Sequence, residues 1–115
     1  IRDNVISSQS AAQLSEMMEQ VVQHGSGWPT RMKGYRIAGK TGTAQVPRSD
    51  GKGYDDKKNI GSFVGFAPVE DPKFVMLVRV DYPKVEGFAE KTAVPTFAEV
   101  TKQLFMYYQV PPSGN

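Results

Sequence analysis

Tyr35-Arg36-Ile37-Ala38-Gly39-Lys40-Thr41-Gly42-Thr43-Ala44-Gln45-Val46 is the stretch on which the fold turns. With Gly34 in front, Gly34 to Thr41 also fits the letters of a phosphate-binding loop, G-x-x-x-x-G-K-T. That loop needs free backbone amides in its middle and a helix starting at the Lys. Here Tyr35, Arg36, Ile37 and Ala38 suit a strand. The residues after Lys40 bring an early Gly42, a β-branched Thr43 and then Pro47, which no stable helix would carry. No parallel strand with a terminal Asp follows to hold magnesium. Nucleotide binding is therefore rejected, and Tyr35–Val46 is predicted to be a strand. At a sheet edge, Gly42 would let a ligand backbone approach, and free N–H and C=O groups could pair with an extended peptide. Lys40 with the hydroxyls of Thr41 and Thr43 favours an anion such as a carboxylate.

Upstream, Leu14, Met17, Met18, Val21 and Val22 recur at helical spacing and define one apolar stripe. The predicted helix is 10–24, with Ser10 and Gln13 as a capping box and Gly25 as a left-handed stop. The Met pair reads as core packing. Residues 25–34 read as a loop in which Trp28 is a packing anchor. Downstream, 47–59 is polar and Gly-rich and reads as a surface excursion. Ile60–Val69 is a second predicted strand. Glu70-Asp71-Pro72-Lys73 is a turn, and Phe74–Tyr82 a third strand, antiparallel to the second. Residues 83–93 form a loop carrying Phe88. A last helix has Pro95 in its first turn and buries Phe97, Val100, Thr101, Leu104 and Tyr108. One of Tyr107 and Tyr108 is expected to pack and the other to stay exposed. Pro111-Pro112 ends the helix. The fold class is α+β: a three-stranded antiparallel sheet flanked by an N-terminal and a C-terminal helix.

Composition narrows the function classes. The 115 residues suffice for one small domain, and 39% hydrophobic with 23% charged residues suits a globular chain. Fourteen basic against 12 acidic residues leave a net charge of +2, too little to argue for nucleic acid or a membrane surface. There is no Cys and a single His24, so neither disulfides nor a thiolate zinc site can form, and no metal or cofactor is expected. No run approaches the roughly 18 apolar residues of a membrane span. The opening Ile1-Arg2-Asp3 carries no initiator Met, as expected of an excised piece.

Lys40-Thr41-Gly42-Thr43 resembles the third signature motif of penicillin-binding proteins and serine β-lactamases. The longer run Gly34 to Gln45 is more specific and resembles the monofunctional class B peptidoglycan transpeptidases of cell division and elongation. Ser62-Phe63-Val64-Gly65-Phe66-Ala67-Pro68 is similar to that family's next strand, and Ala93-Val94-Pro95-Thr96-Phe97 to the start of its last helix. The resemblance implies that residues 1–115 are the C-terminal portion of a transpeptidase domain. It implies serine acyl transfer on a D-Ala–D-Ala stem peptide, with β-lactams as substrate mimics.

In that reading Lys40 supplies positive charge and helps organise proton transfer, while Thr41 and Thr43 hold the carboxylate. The Thr43 N–H is an oxyanion-hole donor. Gly42 keeps the strand surface open, and Gln45 either faces the cleft or solubilises the edge. The family's nucleophile motif S-x-x-K is missing, apart from Ser49-Asp50-Gly51-Lys52, which reads as a turn. The nucleophile, its base, a second Ser motif and a membrane anchor are therefore expected upstream. A missing N-terminal strand is expected beside Phe74–Tyr82, and the location implied is the extracytoplasmic face of a bacterial membrane. The alternatives are a serine β-lactamase, a D,D-carboxypeptidase, a penicillin-sensing receptor domain or a plain interaction module.

Overall fold

A computed structural model describes residues 2–84 and 87–113. The chain runs α1 (Ser8–His24), a 3-10 turn at Trp28–Thr30, β1 (Ala38–Pro47), β2 (Tyr54–Ala67), β3 (Phe74–Asp81), a 3-10 turn at Ala89–Lys91 and α2 (Ala93–Tyr107). The three strands form one antiparallel sheet in the order β1-β2-β3. This is the α+β arrangement expected. The chain continues past Lys40 as strand, so the phosphate-loop geometry is absent there.

β3 shows a strict alternation of half-buried and exposed residues, the pattern of a strand with one face on a core. Its inward residues Met76, Val78 and Val80 lie opposite Gly65, Phe63 and Gly61 of β2. α2 covers this face with Val94, Phe97, Ala98, Thr101 and Phe105. Phe63 and Phe97 are fully buried and meet edge to face, with ring centroids 4.7 Å apart. The two rings need room, which glycines supply. A Cβ on Gly39 would lie 2.3 Å from the Phe63 ring, and one on Gly65 would lie 2.7 Å from the Phe97 ring. The tail beyond α2 folds back, and Ser113 donates from both N–H and hydroxyl to the Gly34 carbonyl. Gly34 has φ of 83° and no space for a side chain beside Pro112, so only glycine fits.

Several expectations need correction. α1 begins two residues early because Ser7, not Ser10, is the N-cap; its hydroxyl accepts the Ser10 N–H at 3.1 Å. Gly25 is extended rather than left-handed, with φ of −116°. Of the α1 stripe, Val22 is buried, but Leu14 and Met17 are 50% and 67% exposed. Only the C-terminal half of the helix meets other described residues closely enough to bury its side chains.

β1 starts at Ala38, not Tyr35. Tyr35 instead stacks on Phe105 at 4.2 Å and donates its hydroxyl to the Val110 carbonyl. Arg36 forks onto Glu19 of α1, with bonds of 2.9 and 2.5 Å. The 47–59 excursion is largely strand, since β2 begins at Tyr54 and the loop shrinks to a tip at residues 48–53. Trp28 is exposed, as are both Tyr107 and Tyr108; Phe105 holds the core place expected of Tyr108. Residues 85 and 86 of the loop before α2 lie outside the described residues.

Thr101 of α2 is fully buried, and its hydroxyl has no hydrogen-bond partner among the described residues. Burying an unpaired hydroxyl costs about 1–3 kcal/mol. Thr101→Val keeps the shape and removes the oxygen. It is expected to raise the melting temperature by about 4 °C or more in a thermal denaturation. A lower melting temperature would mean that the hydroxyl is satisfied after all.

Candidate active site

β1 is an edge strand: it pairs with β2 on one side, and no described residue pairs with its other side as a strand. The register sets Lys40 against Val64, Thr41 against Phe63, Gly42 against Ser62, Thr43 against Gly61 and Gln45 against Asn59. Side chains alternate along a strand. Thr41 and Thr43 therefore share one face of β1, while Lys40 and Gly42 share the other with Ser62, Val64, Leu77 and Arg79. Strand geometry alone thus separates the lysine from the two hydroxyls. The lysine side chain rejoins the first of them, Thr41, by bending back over the strand. Lys40 Nζ donates to the Thr41 carbonyl at 3.0 Å and lies 3.5 Å from Thr41 Oγ1.

The Lys40 face is open. Lys40 is exposed and Gly42 half-buried on it, while on the opposite face Thr43 and Gln45 are exposed and Thr41 is half-buried. A depression of about 410 Å³ is lined by Gly42, Thr43, Ala44, Ile60, Ser62, Leu77 and Arg79. Ser62 donates to the Gly42 carbonyl at 3.3 Å, and a Cβ on Gly42 would meet that hydroxyl at 2.7 Å. Glycine here keeps the floor of the depression flat. Arg79 is forked by Asp81 at 2.6 and 3.0 Å, and this hydrogen bonding pushes its guanidinium still further towards the charged form.

Gln45 lies at the base of the hairpin arm, next to a break in register between Gln45 and Val46. Ser49 sits in the exposed tip, where Gly51 and Gly53 take positive φ to turn the chain. At about 3.3 Å per residue, the end of β1 at Pro47 is already roughly 23 Å from Lys40, and Ser49 lies beyond it. It cannot act on anything held by Lys40, and the turn reading stands. Sequence reasoning missed Ser26, whose Oγ lies 2.8 Å from Thr41 Oγ1. Its place between Gly25 and Gly27 was the available signal, a hydroxyl on a tightly turned backbone. Among the described residues no helix is long and apolar enough to cross a membrane.

The family model for the penicillin binding protein transpeptidase domain matches residues 1–102. The chain therefore belongs to the penicillin-binding protein transpeptidases, on their class B branch. It is 38% identical over 115 residues to stage V sporulation protein D of Bacillus subtilis, covering 99% of this chain and 18% of that protein. It is 38% identical over 117 residues to penicillin-binding protein PbpB of Mycolicibacterium smegmatis, covering 93% of this chain and 18% of that protein. The apo transpeptidase domain of penicillin-binding protein 3 from Burkholderia pseudomallei superposes with a TM-score of 0.84 at 36% identity. That match covers 96% of this chain and 34% of the solved one. Penicillin-binding protein 3 from Mycobacterium tuberculosis, complexed with ampicillin, gives a TM-score of 0.85 at 30% identity over 96% of this chain and 26% of that one. The chain thus spans less than a fifth of the length of these two curated relatives.

Proposed function

We propose that residues 1–115 are the C-terminal portion of the transpeptidase domain of a peptidoglycan D,D-transpeptidase, and that β1 forms one wall of its active site. The observation that carries this reading is the unpaired edge of β1, along which the Lys40 ammonium bends onto Thr41 with Thr43 two residues further on. In the proposed reaction a serine hydroxyl from an upstream segment attacks the carbonyl of the penultimate D-Ala of a stem peptide. The serine proton passes to a base, the C–N bond breaks, and the terminal D-Ala leaves with a proton. An amine of a second stem peptide then takes the acyl group and frees the serine. β-Lactams enter the same step through their strained amide and remain attached. The setting is the extracytoplasmic face of a bacterial membrane, where peptidoglycan is built.

The residues of this chain serve recognition and charge. Lys40 places an ammonium beside the strand edge and steadies proton transfer. The hydroxyls of Thr41 and Thr43 hold the terminal carboxylate of the stem peptide or of the drug. Lys40 reaches the Thr41 carbonyl from the open side of β1. Backbone groups two residues apart point the same way in a strand, which favours an open position for the Thr43 N–H too. There it would donate to the developing oxyanion, a contact worth several kcal/mol in the transition state. Gln45 sits further along the same edge and flanks the substrate.

The upstream part of the domain adds a strand beside the outer edge of β3, which has no strand partner among the described residues, and covers the exposed apolar side of the sheet. Val75 and Leu77 of β3 are 74% and 64% exposed there. Without that part the chain has no nucleophile. The test is a gel of the full-length protein and of this chain alone, each treated with a fluorescent penicillin. The full-length protein should label and the chain alone should not. Rapid hydrolysis of penicillin by the full-length protein would point instead to a β-lactamase. Labelling of the isolated chain, abolished by Ser49→Ala, would overturn the reading.

A further inference from the structure

We infer that Ser26 is a positioning residue: it donates to Thr41 and so aims the Thr41 hydroxyl proton at the anion bound on β1. The inference rests on the carboxylate reading of Thr41. Ser26 and Thr41 are 15 positions apart in sequence, yet their hydroxyl oxygens lie 2.8 Å apart in a partly buried contact. A threonine hydroxyl has one proton to give and two lone pairs to fill. Two groups lie within reach of the Thr41 oxygen, Ser26 at 2.8 Å and Lys40 Nζ at 3.5 Å. An ammonium can only donate. If Ser26 donates too, both lone pairs are engaged and the Thr41 proton is left for an incoming anion. The reverse arrangement would spend that proton on Ser26 and turn a lone pair towards the carboxylate. An anion in the site favours the first arrangement, and the chain of donors strengthens each bond along it.

The loop is built to hold Ser26 there. The N–H groups of Gly25 and Gly27, on either side of it, both donate to the Val21 carbonyl at the end of α1, at 3.0 and 3.1 Å. The Gly27 carbonyl is itself held by the N–H and the hydroxyl of buried Thr30, at 2.9 and 2.8 Å. A side chain on Gly27 would come within 3.1 Å of Val22, which is fully buried in the core. Ser26 is therefore anchored through α1 and the core rather than through β1.

The experiment uses the full-length protein and separates the binding constant for a penicillin from the rate of acylation that follows. Ser26→Ala is expected to weaken binding by about 3- to 10-fold, the range of one lost hydrogen bond, with a smaller change in the acylation step. Ser26→Thr keeps the hydroxyl and should restore binding. The methyl ester of the same penicillin lacks the carboxylate charge and should not respond to Ser26→Ala. In a Thr41→Val background Ser26→Ala should have no further effect, since its target is gone. A full additional loss in that background, or an equal loss with the ester, would overturn the inference and mark Ser26 as a loop residue only. So would an unchanged binding constant in Ser26→Ala while Thr41→Val weakens binding. If Thr41→Val is itself silent, the carboxylate reading of Thr41 fails, and the role of Ser26 falls with it.

Discussion

Lys40→Ala in the full-length protein should slow penicillin acylation by about 10²–10⁴-fold, the usual range for a group that assists proton transfer. The melting temperature should hardly move. Lys40 is exposed on an edge strand, and its hydrogen bonds go to the adjacent residue, so the core does not depend on it. Lys40→Arg should recover only part of the rate. A guanidinium keeps the charge but is planar and longer, so it cannot reproduce the hydrogen-bond geometry of the ammonium. Stopped-flow or gel-based acylation rates beside a thermal melt would decide the matter. An acylation rate within a factor of about three of the wild type would place Lys40 outside the chemistry.

Phe63→Ala is expected to cost about 3–5 kcal/mol, the range for removing a fully buried aromatic side chain. Against a total stability of about 5–15 kcal/mol, that loss can unfold a domain of this size. Phe63 has no exposed surface, and its ring meets Phe97 of α2 edge to face and leaves no space at Gly39. It also lies directly across from Thr41, so the cavity would open beneath the site itself. Urea denaturation followed by circular dichroism measures the loss. A change below about 1 kcal/mol would mean that the Phe63–Phe97 contact does not organise the core.

The sheet was legible because its signals are local. The β-branched and aromatic residues of Phe74–Tyr82 and the turn at residues 70–73 define a hairpin without outside help. Lys40 and its neighbours were legible because the edge position follows from where they fall in chain order. What was not legible depends on partners distant in sequence. Asp55-Asp56-Lys57-Lys58 has no strand propensity, and Tyr54 and Asp55 extend β2 only because Pro47 and Val46 lie opposite them. The spacing of Leu14 and Met17 reports an apolar face but not what lies against it, and both are exposed. Arg36 looked like a strand residue, yet its carbonyl serves Val69 and its guanidinium serves Glu19. Ser26 reaches Thr41 only through the path of the chain around the end of α1.

β2 leads two different lives along its length. From Ile60 to Ala67 it lies between two strands and under α2. From Tyr54 to Lys58 its only strand partner among the described residues is β1. Gln45 faces Asn59 whereas Val46 faces Asp55, so residues 56–58 bulge at the root of this arm. Opening the arm breaks few hydrogen bonds and uncovers almost no apolar surface, whereas opening the inner half requires the core to come apart. Amide protons should therefore exchange with solvent far faster before Asn59 than after it. The strand that supports the site is in this sense two cooperative units spliced end to end, and the looser one begins beside Gln45.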